Sequence, residues 1–130
     1  MYDQTTRSIR VSAKPFYLDS ESSPEKGRYF WAYTIAIENH GGETVQLLTR
    51  YWRITDAQGN VQEVRGDGVV GEQPVLEPGE RFEYTSGAPL PTPSGFMAGS
   101  YNMRSNNGER FDVEIPAFSL DSPHMSGAVH

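Results

Sequence analysis

The chain has 130 residues, of which 36% are hydrophobic and 22% are charged. These values are typical of one globular domain and exclude a disordered chain or one dominated by membrane spans. The formal net charge of −6 disfavours binding to nucleic acid, and the lack of cysteine excludes disulfides, thiolate metal ligands and a cysteine nucleophile. Because Met1–Gln4 resembles no secretory signal, we expect a soluble cytoplasmic protein without a membrane segment.

The first predicted strand alternates apolar and polar residues from Ile9 to Lys14. Pro15 interrupts it, which indicates a sheet edge or a bulge. After a polar connection over 19–27, residues 29–39 show the clearest alternation in the chain, with the bulkier side chains at the odd positions. This period of two predicts a long strand with one face in the core.

The next predicted strand covers 44–55, and its apolar face carries Leu48, Trp52 and Ile54. A turn-forming sequence at 56–60 connects it to a strand over 61–65, so the two segments are predicted to form a hairpin. Further along, the Pro78-Gly79 pair predicts a turn before a short strand that contains Phe82 and Tyr84.

Pro89, Pro91 and Pro93 lie close together in the segment 87–95. Because proline disrupts helices and central strands, this segment is predicted to be a stiff surface loop. The Asn107-Gly108 pair then predicts a hairpin between strands over 97–103 and 111–115. Residues 122–130 are polar and small, and we expect them to be a disordered tail.

These seven or eight short strands predict an all-β protein. Antiparallel strands joined by glycine, proline and asparagine turns are typical of a two-sheet sandwich of the immunoglobulin or fibronectin type III kind. We expect one such domain over residues 1–121. The predicted core consists of Trp31, Tyr33, Ile35, Ile37, Trp52, Ile54, Phe82, Tyr84, Tyr101, Phe111 and Val113.

The segment Gly66–Gly71 matches the G-x-G-x-x-G pattern of dinucleotide sites. Those sites need a helix directly after the loop, and Pro74 and Pro78 exclude one here. Two interpretations remain. The glycines could supply positive φ angles for a bulged crossing between the two sheets. Alternatively, their amides could form an anion nest, with a phosphate contacted by Arg65, Gly66, Asp67, Gly68 and Gly71.

Charge weakens the phosphate interpretation, because Asp67 and Glu72 outnumber the one nearby cation. The histidines at 40, 124 and 130 lack the spacing of metal ligands, so no metal site is predicted. The sequence also shows no signature of an activated nucleophile. We therefore expect neither an enzyme nor a cofactor.

Aromatic and arginine side chains supply a third candidate site. If Trp31, Tyr33 and Trp52 face inward, the outer faces of the same strands carry Phe30, Tyr51 and Arg53. Such side chains are enriched where proteins bind partners, so these three residues are a candidate partner surface. The alternative is ordinary cross-strand pairing on a solvated sheet. The stiff segment 87–95 is a second candidate surface.

Several blocks of the sequence resemble the ApaG family. The matching segments are Tyr33–Asn39, Val45–Trp52, Val64–Pro74, Pro78–Glu80 and Tyr84–Gly87. The resemblance extends from about Ile9 to Phe118, and the Arg-Tyr-Trp and glycine-loop blocks are its most specific parts. It implies a fibronectin type III-like β-sandwich in a small bacterial protein.

The resemblance also implies a link to dinucleoside tetraphosphate metabolism and an association with cobalt and magnesium resistance or efflux. In the family, the glycine motif that corresponds to Gly66, Gly68 and Gly71 has been proposed to contact pyrophosphate. Similar domains occur in eukaryotic F-box and DNA-polymerase-interacting proteins, which favours a partner-binding role.

The sequence therefore predicts a non-enzymatic binding module that contacts another protein. The alternative is a small-ligand protein that binds pyrophosphate or a nucleotide through the loop from Arg65 to Gly71. Neither hypothesis identifies the partner, and neither requires nucleic acid or a membrane.

Overall fold

A computed structural model describes residues 2–124 of the chain. Their strands form two antiparallel sheets that pack face to face, which confirms the predicted sandwich. Residues 2–124 contain nine strands rather than the predicted seven or eight. They are β1 (Tyr2–Thr6), β2 (Ile9–Tyr17), β3 (Tyr29–Asn39), β4 (Val45–Asp56), β5 (Val61–Asp67), β6 (Val75–Leu76), β7 (Arg81–Leu90), β8 (Ser94–Ser105) and β9 (Arg110–Asp121). Two short 3₁₀ turns, Asp19–Glu21 and Pro24–Lys26, lie between β2 and β3.

The first sheet has the order β1-β2-β3-β7, and the second has the order β5-β4-β8-β9. Strand β6 pairs with the beginning of β4, so β5 and β6 follow one another along the same side of that strand. The hairpins predicted at 56–60 and 107–108 are both present. Strand β7 has β3 as its one partner in the described chain and forms an edge of the first sheet.

Strand β1 is not apparent from the sequence pattern, and β2 and β9 are longer than that pattern indicates. Strand β1 is polar and largely exposed, so it lacks the alternation that reveals a half-buried strand. Strand β2 continues through Pro15, because β1 pairs only with residues 9–13 and leaves the proline on a free side. Strand β9 likewise passes through Pro116, which lies at an irregularity in the edge strand.

The proline-rich segment 87–95 is not the predicted surface loop. Its first half belongs to β7, and Pro89 pairs in register with Phe30 of β3. Only residues 91–93 separate β7 from β8. A proline is tolerated here because an edge strand can direct its missing N–H group away from the neighbouring strand.

The core between the sheets contains most of the predicted residues. Eight of the predicted core residues are buried: Trp31, Tyr33, Ile35, Ile37, Trp52, Tyr84, Tyr101 and Val113. Ile54, Phe82 and Phe111 are only partly buried at its margin. The rings of Tyr33, Trp52 and Phe118 form a central aromatic cluster with centroids 5.3 to 5.9 Å apart.

A β-bulge in β4 changes which of its residues face the core. The register with β8 shifts between Leu47 and Thr49, so Leu48 is an extra residue. Leu47 is buried in place of Leu48, which the sequence pattern had assigned to the apolar face. After the bulge, the inward positions are Arg50, Trp52 and Ile54.

The end of the described chain contacts the sandwich beyond the predicted domain boundary. Ser122 is buried, and its hydroxyl donates to the Pro93 carbonyl at 2.6 Å. The His124 ring lies 5.9 Å from the Tyr17 ring. The remainder of the predicted tail, residues 125–130, lies outside the described residues.

Candidate functional site

The glycine motif forms a tight turn that joins β5 to β6. Val69 and Glu72 exchange two backbone hydrogen bonds of 2.8 and 2.9 Å. The two residues between them, Val70 and Gly71, have φ angles of 44° and 82°. Positive φ at both central positions is the geometry of a type I′ turn. The motif therefore does not cross between sheets as predicted, because the crossing occurs later, between β6 and β7.

Most backbone amides of this turn are already paired. The N–H groups of Gly68, Val69 and Glu72 donate to the carbonyls of Leu48, Glu72 and Val69, respectively. In the hydrogen-bond network of residues 2–124, no partner is found for the amides of Val70 and Gly71. The predicted anion nest thus consists of two amides, and two amides alone bind a phosphate only weakly.

The cation beside the turn is Arg50, on the inner side of β4. Its Nη1 group donates to the carbonyls of Asp67 and Gly68 at 3.0 and 2.9 Å, respectively. These two bonds fix the guanidinium beneath the turn. Within the described chain, the Nη2 and Nε groups of Arg50 donate to no atom, and no carboxylate forms a salt bridge with it.

The guanidinium borders a cavity of about 220 Å³ between the two sheets. We call it the Arg50 cavity. Its lining consists of Tyr33, Arg50, Trp52, Val69, Val70, Gly71, Tyr84 and Ser86. The lining thus combines one positive charge, three hydroxyl groups and an apolar wall. It contains no acidic side chain and no histidine.

The tyrosines behind the cavity remain protonated at neutral pH. Burial raises the pKa of Tyr33, an effect partly offset by the Ser86 hydroxyl and the Arg50 charge. Burial also raises the pKa of Tyr84 and of Tyr101, and the hydroxyls of these two residues hydrogen-bond to each other. The cavity therefore has one permanent charge, which is that of Arg50.

Arg65 and Asp67, the charged residues of the predicted phosphate site, do not face this cavity. Arg65 is exposed on the outer side of β5, where its guanidinium carbon lies 4.6 Å from the centroid of the Tyr51 ring. The Asp67 side chain is also exposed, and its backbone carbonyl rather than its carboxylate contacts Arg50. Gly66, Gly68 and Gly71 do surround the guanidinium or the turn above it.

The three residues of the predicted partner surface lie on two separate faces. Tyr51 and Arg53 are on the outer side of the second sheet, next to Glu63 and Arg65. The Tyr51 hydroxyl donates to the Glu63 carboxylate. Phe30 is on the outer side of the first sheet, where its ring covers Gly87. The structure therefore does not join Phe30 to Tyr51 and Arg53 in one surface.

Arg50 was missed as a site residue, although the sequence contains a signal for it. It lies two residues before Trp52, in the same alternation that places Trp52 and Ile54 inward. A charged side chain at an inward position of a strand is unusual and points to a specific role. Arg65 directly precedes Gly66 in the sequence and is therefore the more obvious cation for the glycine motif.

The described residues also bear on metal binding and on membrane spans. Among residues 2–124, no group of three or more histidine, aspartate and glutamate side chains is arranged to hold a metal ion. The association with cobalt and magnesium stays a prediction from the resemblance. No helix in the described part of the chain has the length and apolar character needed to cross a membrane.

Known proteins resemble the chain over nearly its full length. A family model described as the ApaG domain matches residues 19–105. The chain is 69% identical to Protein ApaG of Rhodospirillum centenum, over 95% of both proteins, and 59% identical to that of Parvibaculum lavamentivorans, over 100% of both. A crystal structure of an ApaA protein from Bordetella pertussis superposes with a TM-score of 0.87 at 50% identity, covering 90% of this chain and 95% of the other. The chain therefore belongs to the ApaG family.

Proposed function

We propose that this protein is a non-enzymatic binding module that recognises an anionic group in the Arg50 cavity. The observation that carries the proposal is the partly buried Arg50, whose guanidinium donates to two backbone carbonyls but has no carboxylate partner within residues 2–124. Removing a charge from water without pairing it is costly. A binding partner that supplies a negative charge would offset that cost.

The neighbours of Arg50 favour an anion with directional hydrogen bonds. The free Nη2 and Nε groups present a planar set of donors, which suits the two oxygen atoms of a carboxylate or a phosphate. The unpaired amides of Val70 and Gly71 are further donors at the same cavity. Each of these groups is held by a strand or by the turn before the ligand arrives.

The same lining argues against catalysis. Acid-base chemistry at neutral pH needs a group that can exchange a proton, which is most often a histidine or a carboxylate. The cavity contains neither, and the tyrosines with raised pKa values stay protonated. The chemistry available to the site is binding.

A titration followed by NMR tests this proposal. Acetate, phosphate and pyrophosphate are added separately to the full chain while the Arg50 Nε–H signal and the backbone amides are recorded. We expect saturable shifts of Arg50, Val70 and Gly71 with at least one anion. The R50M variant should lose the response, whereas R53M, which removes an exposed arginine from the other face of the same strand, should retain it. An equal response of wild type and R50M would contradict the proposal.

A second candidate function is protein binding through the outer side of the second sheet. The observation that favours it is the fixed arrangement of Tyr51, whose ring packs against Arg65 and whose hydroxyl bonds to Glu63. A preorganised tyrosine and arginine pair loses little conformational entropy when a partner docks. This surface shares no residue with the lining of the Arg50 cavity.

A further inference from the structure

We infer that the anion recognised by Arg50 is the terminal carboxylate of an extended peptide, which adds to the free edge of β7 as a further strand. This inference rests on the proposed function of the Arg50 cavity and names its ligand class. It combines three features of the described chain that lie side by side: an unpaired strand edge, a cation without a counter-ion and a small cavity that has one apolar wall.

The edge of β7 presents free backbone groups next to the cavity. The N–H and C=O groups of Phe30 bond to Ser22 and Leu18 on the other side of β3, so they do not point toward β7. Phe30 and its partner Pro89 therefore form a non-hydrogen-bonded pair. By the alternation of an antiparallel ladder, Thr85 and Gly87 direct their N–H and C=O groups away from β3.

The free edge and the cavity share β7. Tyr84 and Ser86, which flank Thr85 in the sequence, line the Arg50 cavity with their side chains. A strand that pairs with the groups of Thr85 and Gly87 would run about 4.8 Å from β7. Its end would then be adjacent to Tyr84 and Ser86, the two β7 residues that line the cavity. Pro89 limits pairing in the other direction because it has no N–H group.

Charge favours a single carboxylate over a polyphosphate. The protein carries a net charge of −6, and the exposed side chains of Asp67 and Glu72 are close to the turn in sequence. Each additional negative charge on a ligand would be repelled by these groups, whereas Arg50 supplies one compensating charge. A peptide terminus brings one carboxylate and pairs it with one guanidinium.

The cavity also fits the last side chain of such a peptide. Its volume of about 220 Å³ is below the ~300–1,000 Å³ that is usual for pockets enclosing drug-sized ligands. Trp52, Val69 and Val70 supply an apolar wall beside the guanidinium. Pockets that hold a terminal carboxylate and an apolar side chain while the peptide extends a sheet edge are an established recognition mode. We expect an apolar residue at the end of the peptide.

A peptide array tests the inference. Seven-residue peptides with four randomised terminal positions and a free carboxylate are probed with the full chain as wild type, R50M and R53M. Wild type and R53M should retain a common set of peptides that end in an apolar residue. Replacing the terminal carboxylate of a retained peptide with an amide should weaken binding about tenfold or more, which is the usual effect of losing a charge-assisted hydrogen bond.

Hydrogen exchange identifies the docking edge without any substitution. A retained peptide should slow amide exchange at Thr85 and Gly87, because these groups gain partners. Tyr84 and Ser86, which already bond to β3, should change little. Methylating alternate peptide nitrogens should abolish binding only where the nitrogen faces β7.

Three results would overturn the inference: equal affinity for acid and amide peptides, protection confined to another strand, or no peptide retained by wild type above the R50M background. If acetate or phosphate still shifts the Arg50 Nε–H signal in those cases, the proposed anion site is retained and only the assignment of a peptide as its ligand is wrong. If no anion shifts Arg50 either, the proposed function fails as well. Should R50M not fold, as judged from its amide spectrum, the amide peptides and the exchange data decide.

Discussion

Gly66 lies directly opposite Arg50 in the β4–β5 ladder, and the guanidinium occupies the space where a side chain at 66 would stand. A Cβ atom on Gly66 would be 2.9 Å from three guanidinium atoms. Gly66 has no positive φ angle, unlike Gly68 and Gly71. The first glycine of the motif therefore makes room for an arginine, while the other two allow the backbone to turn.

Alanine substitutions should separate these roles. G68A should lower the free energy of unfolding by more than about 1–2 kcal/mol, because φ is +63° and a Cβ would lie 2.3 Å from the Glu72 carbonyl oxygen. G71A should cost about 1–2 kcal/mol from its φ of +82° alone, since the space around it is open. Urea denaturation measures both values, and unchanged stability in both variants would contradict the turn geometry.

G66A should behave differently from the other two. The atoms that a Cβ would meet are at the end of a flexible side chain, which can move. Alanine at a position of compatible backbone geometry brings a gain of about 0.4–1 kcal/mol, which offsets the cost of moving the guanidinium, so we expect the stability to change by less than about 1 kcal/mol. The displaced guanidinium should nevertheless bind anions less well, and the titration described above detects this. Full anion binding in G66A would contradict the placement of Arg50.

Val70 has a strained backbone conformation, and a substitution that relieves this strain should stabilise the protein. It is β-branched, has a φ of 44° and is 55% exposed at the mouth of the Arg50 cavity. Asparagine is favoured at this position of a type I′ turn, and left-handed backbone at other residues costs about 1–3 kcal/mol. We expect V70N to raise the melting temperature. Val75, also 55% exposed but in a strand, is the matched control, and V75N should bring no gain.

The assignment of inner and outer faces is tested by Ile35. This side chain is fully buried in β3, so I35A should remove about 2–5 kcal/mol from the free energy of unfolding. V61A, at a position that is 47% exposed in β5, should change stability by less than about 0.5 kcal/mol. Chemical denaturation gives both differences. Similar effects at the two positions would mean that the faces are reversed.

Glu38 should contribute pH-dependent stability. It accepts a hydrogen bond of 2.8 Å from His40 and pairs with Arg81 and Arg10 on the outer side of the first sheet. The hydrogen bond with His40 and the charges of the two arginines hold the pKa of Glu38 below its ordinary value of 4.5. A lowered pKa adds stability that is complete above the unfolded-state value and is lost as the pH falls through the folded-state value.

The E38Q variant should therefore be less stable than wild type near neutral pH, and the difference should shrink below about pH 4.5 as the wild-type carboxylate becomes protonated. Denaturation midpoints measured across this range provide the comparison. E25Q, at an exposed glutamate in the connection before β3, is the control. A difference between E38Q and wild type that grows on acidification would contradict the sign of the shift.

The outer side of the second sheet is tested with Tyr51 and Arg53 together. Their replacement by alanine should leave the free energy of unfolding within about 1 kcal/mol, because outer cross-strand pairs contribute about 0.2–1 kcal/mol each. If the patch is an interface, capture of a partner protein should weaken by about 2 kcal/mol or more. F30A, on the other sheet, should leave that capture unchanged. Equal capture by wild type, the double variant and F30A would exclude this surface as the interface.

The sandwich could be predicted from the sequence because its evidence is local. Alternation along 29–39, the turn at Asn107-Gly108 and the hairpin around 56–60 each act within a few residues. The exposed strand β1 escaped prediction, since it buries no side chain that would reveal its period. The path of β7 through Pro89 also escaped, because a free strand edge is a property of the assembled sheet.

The sequence by itself determined the fold class, most of the core and the presence of an unusual glycine turn. Only the tertiary structure shows that Arg50, and not Arg65, bonds to that turn. The β4–β5 register places Arg50 opposite Gly66, where its guanidinium bonds to the carbonyls of Asp67 and Gly68, while the pleat of β5 directs Arg65 to the outer face. The same assembly divided Phe30 from Tyr51 and Arg53, because β3 and β4 join different sheets. Strand register and sheet membership arise from long-range pairing, which local spacing does not encode.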